Sequence, residues 1–149
     1  MMTLSNNGIK FLQQEEGCKL KAYRDSAGVP TIGYGNTYYE DGTKVKIGDE
    51  VTQERADALF NGVLKEYEQA VNVALLEVPK QNEFDALVSL AYNIGAAAFK
   101  RSTLVKYINS GASDYKIRQQ FLAWRYSAGE PILLGRRKRE ADLYFSDKK

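Results

Sequence analysis

The fold is decided by the stretch Glu16-Gly17-Cys18-Lys19-Leu20-Lys21-Ala22-Tyr23-Arg24-Asp25-Ser26-Ala27-Gly28-Val29-Pro30-Thr31-Ile32-Gly33-Tyr34-Gly35. Just before it, Ser5, Asn6 and Asn7 supply N-cap oxygens, and Ile9 with Leu12 starts a helical spacing that Gly17 ends as a C′ residue. A short helix therefore delivers Glu16 to its C-terminal end. From Lys19 to Asp49 the texture changes to closely spaced glycines and aromatics. Turn signals at Ser26-Ala27-Gly28 and Asp41-Gly42 lie between Thr-, Val- and Tyr-rich runs, which predicts a small antiparallel sheet. Folding the first turn brings Thr31 back toward Asp25, but register, and with it the side each residue faces, is not fixed by the sequence.

Downstream the pattern is helical. Thr52 caps a segment with apolar residues at Ala56, Leu59, Phe60, Val63, Leu64, Tyr67, Ala70, Val71, Ala74 and Leu75, and Pro79 is expected to stop it. Its length would be roughly 35 to 40 Å at about 1.5 Å per residue. Further helices are expected to end near Gly95 and Gly111, then to start at Asp114 and run on through Phe121, Leu122 and Trp124. A Gly-Glu-Pro loop at 129–131 leads to a last basic helix around Arg136 to Phe145. The expected class is α+β, predominantly helical. One domain spans 1–149, with a β-hairpin lobe over about 18–50 joined by the long helix to a helical lobe of 52–149 plus the N-terminal helix. The cleft between two such lobes is the natural site.

Composition narrows the chemistry. The chain has 149 residues, 44% of them hydrophobic, enough for a shared core. Its 21 Lys and Arg against 19 Asp and Glu give +2, without the basic field of a nucleic-acid binder. It contains no histidine, which removes serine–histidine and cysteine–histidine hydrolases, and with Cys18 the only thiol an ordinary zinc site is disfavoured too. Cys18, unable to form an internal disulfide, is expected to be a small, partly buried residue. Lys10, Gln13, Gln14, Glu15 and Glu16 interrupt any apolar run near the start, so neither a signal peptide nor stable membrane insertion is expected.

Carboxylate chemistry remains. Glycoside hydrolysis needs one acid to protonate the leaving oxygen and a second carboxylate to stabilise positive charge or activate the nucleophile. Glu16, at the negative end of a helix macrodipole, is suited to the neutral acid. Asp25, among turn amides, is suited to the ionised partner, and Thr31 to holding the attacking water.

This run resembles the Glu-Gly, Ala-Tyr-x-Asp, Gly-x-x-Thr-Ile-Gly-Tyr-Gly signature of the phage lysozymes, or endolysins, of glycoside hydrolase family 24. Ala91-Tyr92-Asn93-Ile94-Gly95, Phe99 and Ser102-Thr103-Leu104 resemble the family's central helices. Arg136-Arg137-x-x-Glu140-x-x-Leu143-Tyr144-Phe145 resembles its closing helix. The resemblance implies a lysozyme-like two-lobe fold and cofactor-free, metal-free cleavage of the β-1,4 bond between N-acetylmuramic acid and N-acetylglucosamine in peptidoglycan. It implies Glu16, Asp25 and Thr31 as the catalytic set, Arg137 as a charge near the acid, and Thr37, Tyr92 and Thr103 as saccharide contacts. It further implies a monomer that accumulates in the host cytoplasm and reaches the wall with holin assistance. An inverting course, which the resemblance favours, requires carboxyls about 6.5 to 9.5 Å apart. The family's Gly-His-Thr is here Gly35-Asn36-Thr37; the amide of Asn36 is expected to hydrogen-bond the turn without forming a charged pair.

Two rivals are a catalytically silent peptidoglycan-binding homologue, of which Asn36 would be the first sign, and a chitin-directed hydrolase on a related fold. Tyr34, Tyr38 and Tyr39 suit a sugar-stacking platform, although packing pairs are the commoner role of aromatics in a small sheet. The basic run Arg136-Arg137-Lys138-Arg139 is read as a solvated face or ion pairs in preference to a nucleic-acid site.

Overall fold

The computed structural model describes residues 1–127 and 129–147. In chain order the elements are α1 (Asn6–Glu16), β1 (Lys19–Arg24), β2 (Pro30–Gly33), α2 (Gln53–Ala74), α3 (Gln81–Ile94), α4 (Ala96–Lys100), α5 (Thr103–Asn109), α6 (Asp114–Ala123) and α7 (Leu134–Tyr144). The class is the expected one, mainly helical with a small antiparallel sheet. Two compact units are distinguishable: residues 10–65, and residues 1–9 with 66–149.

Local chemistry sets most of the boundaries. The Ser5 hydroxyl accepts from the Gly8 amide at 3.0 Å, capping α1. At its other end Gly17 takes φ +67° and donates its amide to the Gln13 carbonyl, a left-handed stop suited to glycine. Thr52 caps α2 by accepting from the Arg55 amide at 3.1 Å, and Ser113 caps α6 by accepting from Lys116 at 3.3 Å. The five-residue α4 is an element that the apolar spacing did not signal.

Helix α2 stops at Ala74, earlier than the expected stop at Pro79. The Asn109 side chain takes over its terminus: its Nδ2 donates to the Ala74 carbonyl at 3.0 Å and its Oδ1 accepts from the Leu76 amide at 3.0 Å. A side chain at the end of α5 thus satisfies groups that another turn of helix would have used. Likewise α6 ends at Ala123, and half-buried Trp124 serves as its C-cap residue instead of extending it.

The unit of residues 10–65 is built on Leu12, Ile32, Tyr34, Val45, Ala56, Leu59, Phe60 and Leu64, all buried. Ile32 places the hairpin's inner face on this core, and Tyr34 packs its ring against Phe60 with centroids 4.8 Å apart. In the other unit the core comes from Phe84, Leu87, Val88 and Leu90 of α3, Phe99, Leu104, Phe121 and the α7 face of Ala141 and Tyr144. The chain start is fastened within this unit by buried Asp85, whose carboxylate accepts from the Ser5 amide and hydroxyl and from Gln81.

The basic run on α7 divides. Lys138 and Arg139 are exposed, but Arg136 and Arg137 are buried with Glu140. Arg137 Nε lies 2.7 Å and Arg136 Nε 3.0 Å from the Glu140 carboxylate, and the Ser89 hydroxyl donates to the same group at 2.5 Å. Burial pushes the Glu140 carboxyl upward against the opposing pull of Arg137 and Arg136. The ion-pair reading of this run therefore holds for its first two members.

Candidate active site

The hairpin register settles what the sequence left open. Tyr23 pairs with Thr31 and Arg24 with Pro30. Paired residues share a face, so Tyr23 and Thr31 lie on one side, and Asp25, just past the end of β1, continues the same pairing through its amide bond to the Val29 carbonyl. The opposite edge of β1 is also engaged, by Ala22 donating to Asp49 and Val51 donating to Leu20. With backbone partners on both sides, β1 holds this face in place.

At the turn Asp25 is tied down twice: its Oδ1 accepts from the amides of Ala27 and Val29, each at 2.9 Å. Its own amide donates to the Val29 carbonyl at 3.0 Å. Among the described residues its Oδ2 accepts no hydrogen bond, which leaves one carboxylate oxygen for an incoming donor. Thr31, only 3% exposed, donates its hydroxyl to the Val29 carbonyl at 2.8 Å. Its proton is thereby committed and its oxygen lone pairs remain.

Glu16 is the last residue of α1 and is half-buried. The turn after β2 comes close to it. A Cβ added to Gly35, whose φ is +91°, would stand 3.2 Å from Glu16 Oε1. Gly35 thus serves both a positive φ and a close approach to this carboxylate, and the sequence reading missed that second role. It also passed over Tyr23. Burial first, then the charges of Glu16 and Asp25, push the Tyr23 hydroxyl upward, so this side chain lies within the field of both carboxylates. The period-two spacing of Tyr23 and Asp25 was the available signal.

The other candidates distribute as follows. Half-buried Thr37 belongs to the same unit as Glu16, Asp25 and Thr31, and its carbonyl accepts from Val45 at 3.0 Å. Tyr92, Thr103 and Arg137 belong to the other unit. Tyr92 is half-buried, with its ring 5.0 Å from that of Tyr67, and Thr103 is exposed on the first turn of α5. Arg137 is fully buried beside Glu140, with a further bond to the Trp124 carbonyl at 3.3 Å.

Two expectations are corrected. Cys18 is exposed, not partly buried, because it lies past the end of α1 beside the exposed start of β1, where its Sγ accepts from the Gln53 side chain at 3.8 Å. Asn36 joins the turn through its backbone, exchanging both bonds with Ile32 at 2.8 and 2.9 Å. Its buried side-chain Oδ1 has no hydrogen-bond partner among the described residues.

The tyrosines also separate. Tyr34 donates to Asp57 at 2.9 Å and Tyr39 to Asp49 at 2.7 Å, so both are packing residues with committed hydroxyls, whereas Tyr38 is 52% exposed. Burial, then the hydrogen bonds to Asp57 and Asp49, push Tyr34 and Tyr39 each up to about 12 from 10.0. A folded value above the unfolded one means stability that is fully present below pH 10 and lost as pH rises through about 12. Urea midpoints are expected to be level up to about pH 9.5 and then to fall, less steeply in Tyr39→Phe.

Among the described residues no group of three or more His, Cys, Asp or Glu is placed to hold a metal ion, and no helix is long and apolar enough to cross a membrane. The family described as phage lysozyme matches residues 13–140. The endolysin of Salmonella phage P22 is 44% identical over 149 residues, covering 98% of this chain and 100% of that protein. A crystal structure of a P22 lysozyme mutant matches with a TM-score of 0.83 at 40% identity, covering 97% of this chain and 99% of that one. The endolysin from Escherichia coli O157:H7 phage FAHEc1 matches with a TM-score of 0.88 at 38% identity, covering 98% and 95%.

Proposed function

The chain belongs to the phage lysozyme family and is a peptidoglycan-cleaving lysozyme, and we propose that Glu16, Asp25 and Thr31 form its catalytic set. The observation that carries this reading is the hairpin register, which gives Asp25 and Thr31 a common face within the unit that also holds Glu16. Glu16 protonates the glycosidic oxygen between N-acetylmuramic acid and N-acetylglucosamine. Asp25, its Oδ1 held by two amides, accepts one proton of the attacking water through Oδ2. Thr31, whose own proton goes to Val29, accepts a hydrogen bond from the other. With both water hydrogens engaged, an oxygen lone pair is left for the anomeric carbon.

Thr37, Tyr92 and Thr103 are read as saccharide contacts and Arg137 as a supporting charge, with residues 1–149 forming one monomeric domain. Family likeness supports accumulation in the host cytoplasm and holin-assisted access to the wall. The test is digestion of purified peptidoglycan followed by borohydride reduction of the new ends. Reduced muramic acid at those ends supports the reading. Binding without fragments would select the silent homologue, and turnover of chitin oligomers alone would select the chitin-directed rival.

Gly35→Ala tests the placement of the acid. The new methyl would meet Glu16 Oε1 in a backbone at φ +91°, so activity is expected to fall by about 10- to 100-fold. Gly42→Ala, at φ +84° with nothing within 4 Å, carries similar backbone strain without touching the carboxylate. It should lower the thermal midpoint while leaving activity near wild type.

A further inference from the structure

We infer that Tyr23 is a substrate-contacting residue, its phenolic hydroxyl donating a hydrogen bond to an oxygen of the sugar bound between Glu16 and Asp25. The inference rests on the proposed roles of those two carboxylates. Three observations lead to it. Tyr23 is paired with Thr31 and stands two residues before Asp25, so the register places it on the face that carries the reaction. It is half-buried, yet among the described residues its hydroxyl makes no hydrogen bond. The hydroxyls of Tyr34 and Tyr39, by contrast, are committed to Asp57 and Asp49. Tyr23 is not among the residues with a buried, unpartnered polar atom, so its hydroxyl is reachable from solvent and open to a ligand.

Burial first, then Glu16 and Asp25, disfavour a negative charge on Tyr23, so the phenol keeps the proton it needs to donate. Lys19 holds its ammonium 5.9 Å from the ring centroid, a cation–π contact that restrains the ring. Saccharide hydroxyl, acetamido and glycosidic oxygens are acceptors in abundance. The side chain that meets them here is stiff, with only two torsions to order on binding.

Tyr23→Phe removes the hydroxyl and keeps the ring. With soluble peptidoglycan glycan oligomers as substrate, KM is expected to rise about tenfold with kcat within about twofold of wild type. In a Glu16→Gln background the same substitution should weaken oligomer binding, read by calorimetry, by a similar factor. The thermal midpoint and both limbs of the pH–rate profile should stay in place. Unchanged KM and binding would overturn the inference. So would a fall in kcat accompanied by a displaced pH limb, since Tyr23 would then be positioning a carboxylate and not holding sugar. A parallel drop in thermal midpoint would reduce it to a packing residue. Failure of the catalytic reading is separable, because it would show as undiminished turnover in Glu16→Gln with Tyr23 intact.

Discussion

Glu16→Gln is expected to lower kcat/KM on peptidoglycan by about a thousandfold, within the usual range for loss of a general acid. Glutamine keeps the size of the side chain and its hydrogen-bonding capacity but has no proton to give the leaving oxygen. The loss should therefore fall on kcat while binding of glycan oligomers persists. Because Glu16 ends α1 at the surface of its unit and is only half-buried, the exchange should leave the thermal midpoint nearly unchanged. The neighbouring Glu15→Gln provides the contrast, with turnover expected close to wild type. The measurement is reducing-end release under matched protein concentrations. A Glu16→Gln enzyme within tenfold of wild type would remove Glu16 from the acid role.

The largest stability effect is expected far from that chemistry. Glu140→Ala should cost about 3–5 kcal/mol, the usual consequence of removing one partner from a buried ion pair, out of a total of about 5–15 kcal/mol for a folded domain. Glu140 is fully buried and is the shared carboxylate of Arg136, Arg137 and the Ser89 hydroxyl. Its loss leaves two buried guanidiniums without that counter-charge and a void where the side chain stood. Urea unfolding followed by Trp124 fluorescence reads the effect directly, since the Trp124 carbonyl is itself bonded to Arg137. Glu140→Gln, which preserves volume and an acceptor for Ser89, should fall between the alanine variant and wild type. A cost below about 1 kcal/mol for Glu140→Ala would mean that the cluster contributes little net stability, as some buried ion pairs do.

The legible parts of the site and fold were those written in local chemistry. A hydroxyl three residues before an amide, as at Ser5, Thr52 and Ser113, caps a helix wherever the rest of the chain goes. Gly17 stops α1 and Gly95 stops α3 because a left-handed backbone is available to glycine at little steric cost. The helix end carrying Glu16, the turn carrying Asp25 and the strand carrying Thr31 all follow from such signals, as does the absence of any histidine-based mechanism.

What required the tertiary structure depended on partners distant in sequence or on a choice of register. Asn109 ends α2 at Ala74 from 35 residues away, a stop that apolar periodicity cannot show because the competing donor lies on another helix. The buried state of Arg136 and Arg137 was hidden because a run of basic residues looks solvated until Glu140 and Ser89 are known to face it. Tyr34 and Tyr39 became packing residues through Asp57 and Asp49. A one-residue slip in the hairpin would have turned Thr31 away from Asp25. Local signals along the chain name the residues able to do acid–base chemistry and the elements that carry them. Which of those residues share a face depends on pairing across the chain, where burial and hydrogen bonding select one register from several that local propensities allow.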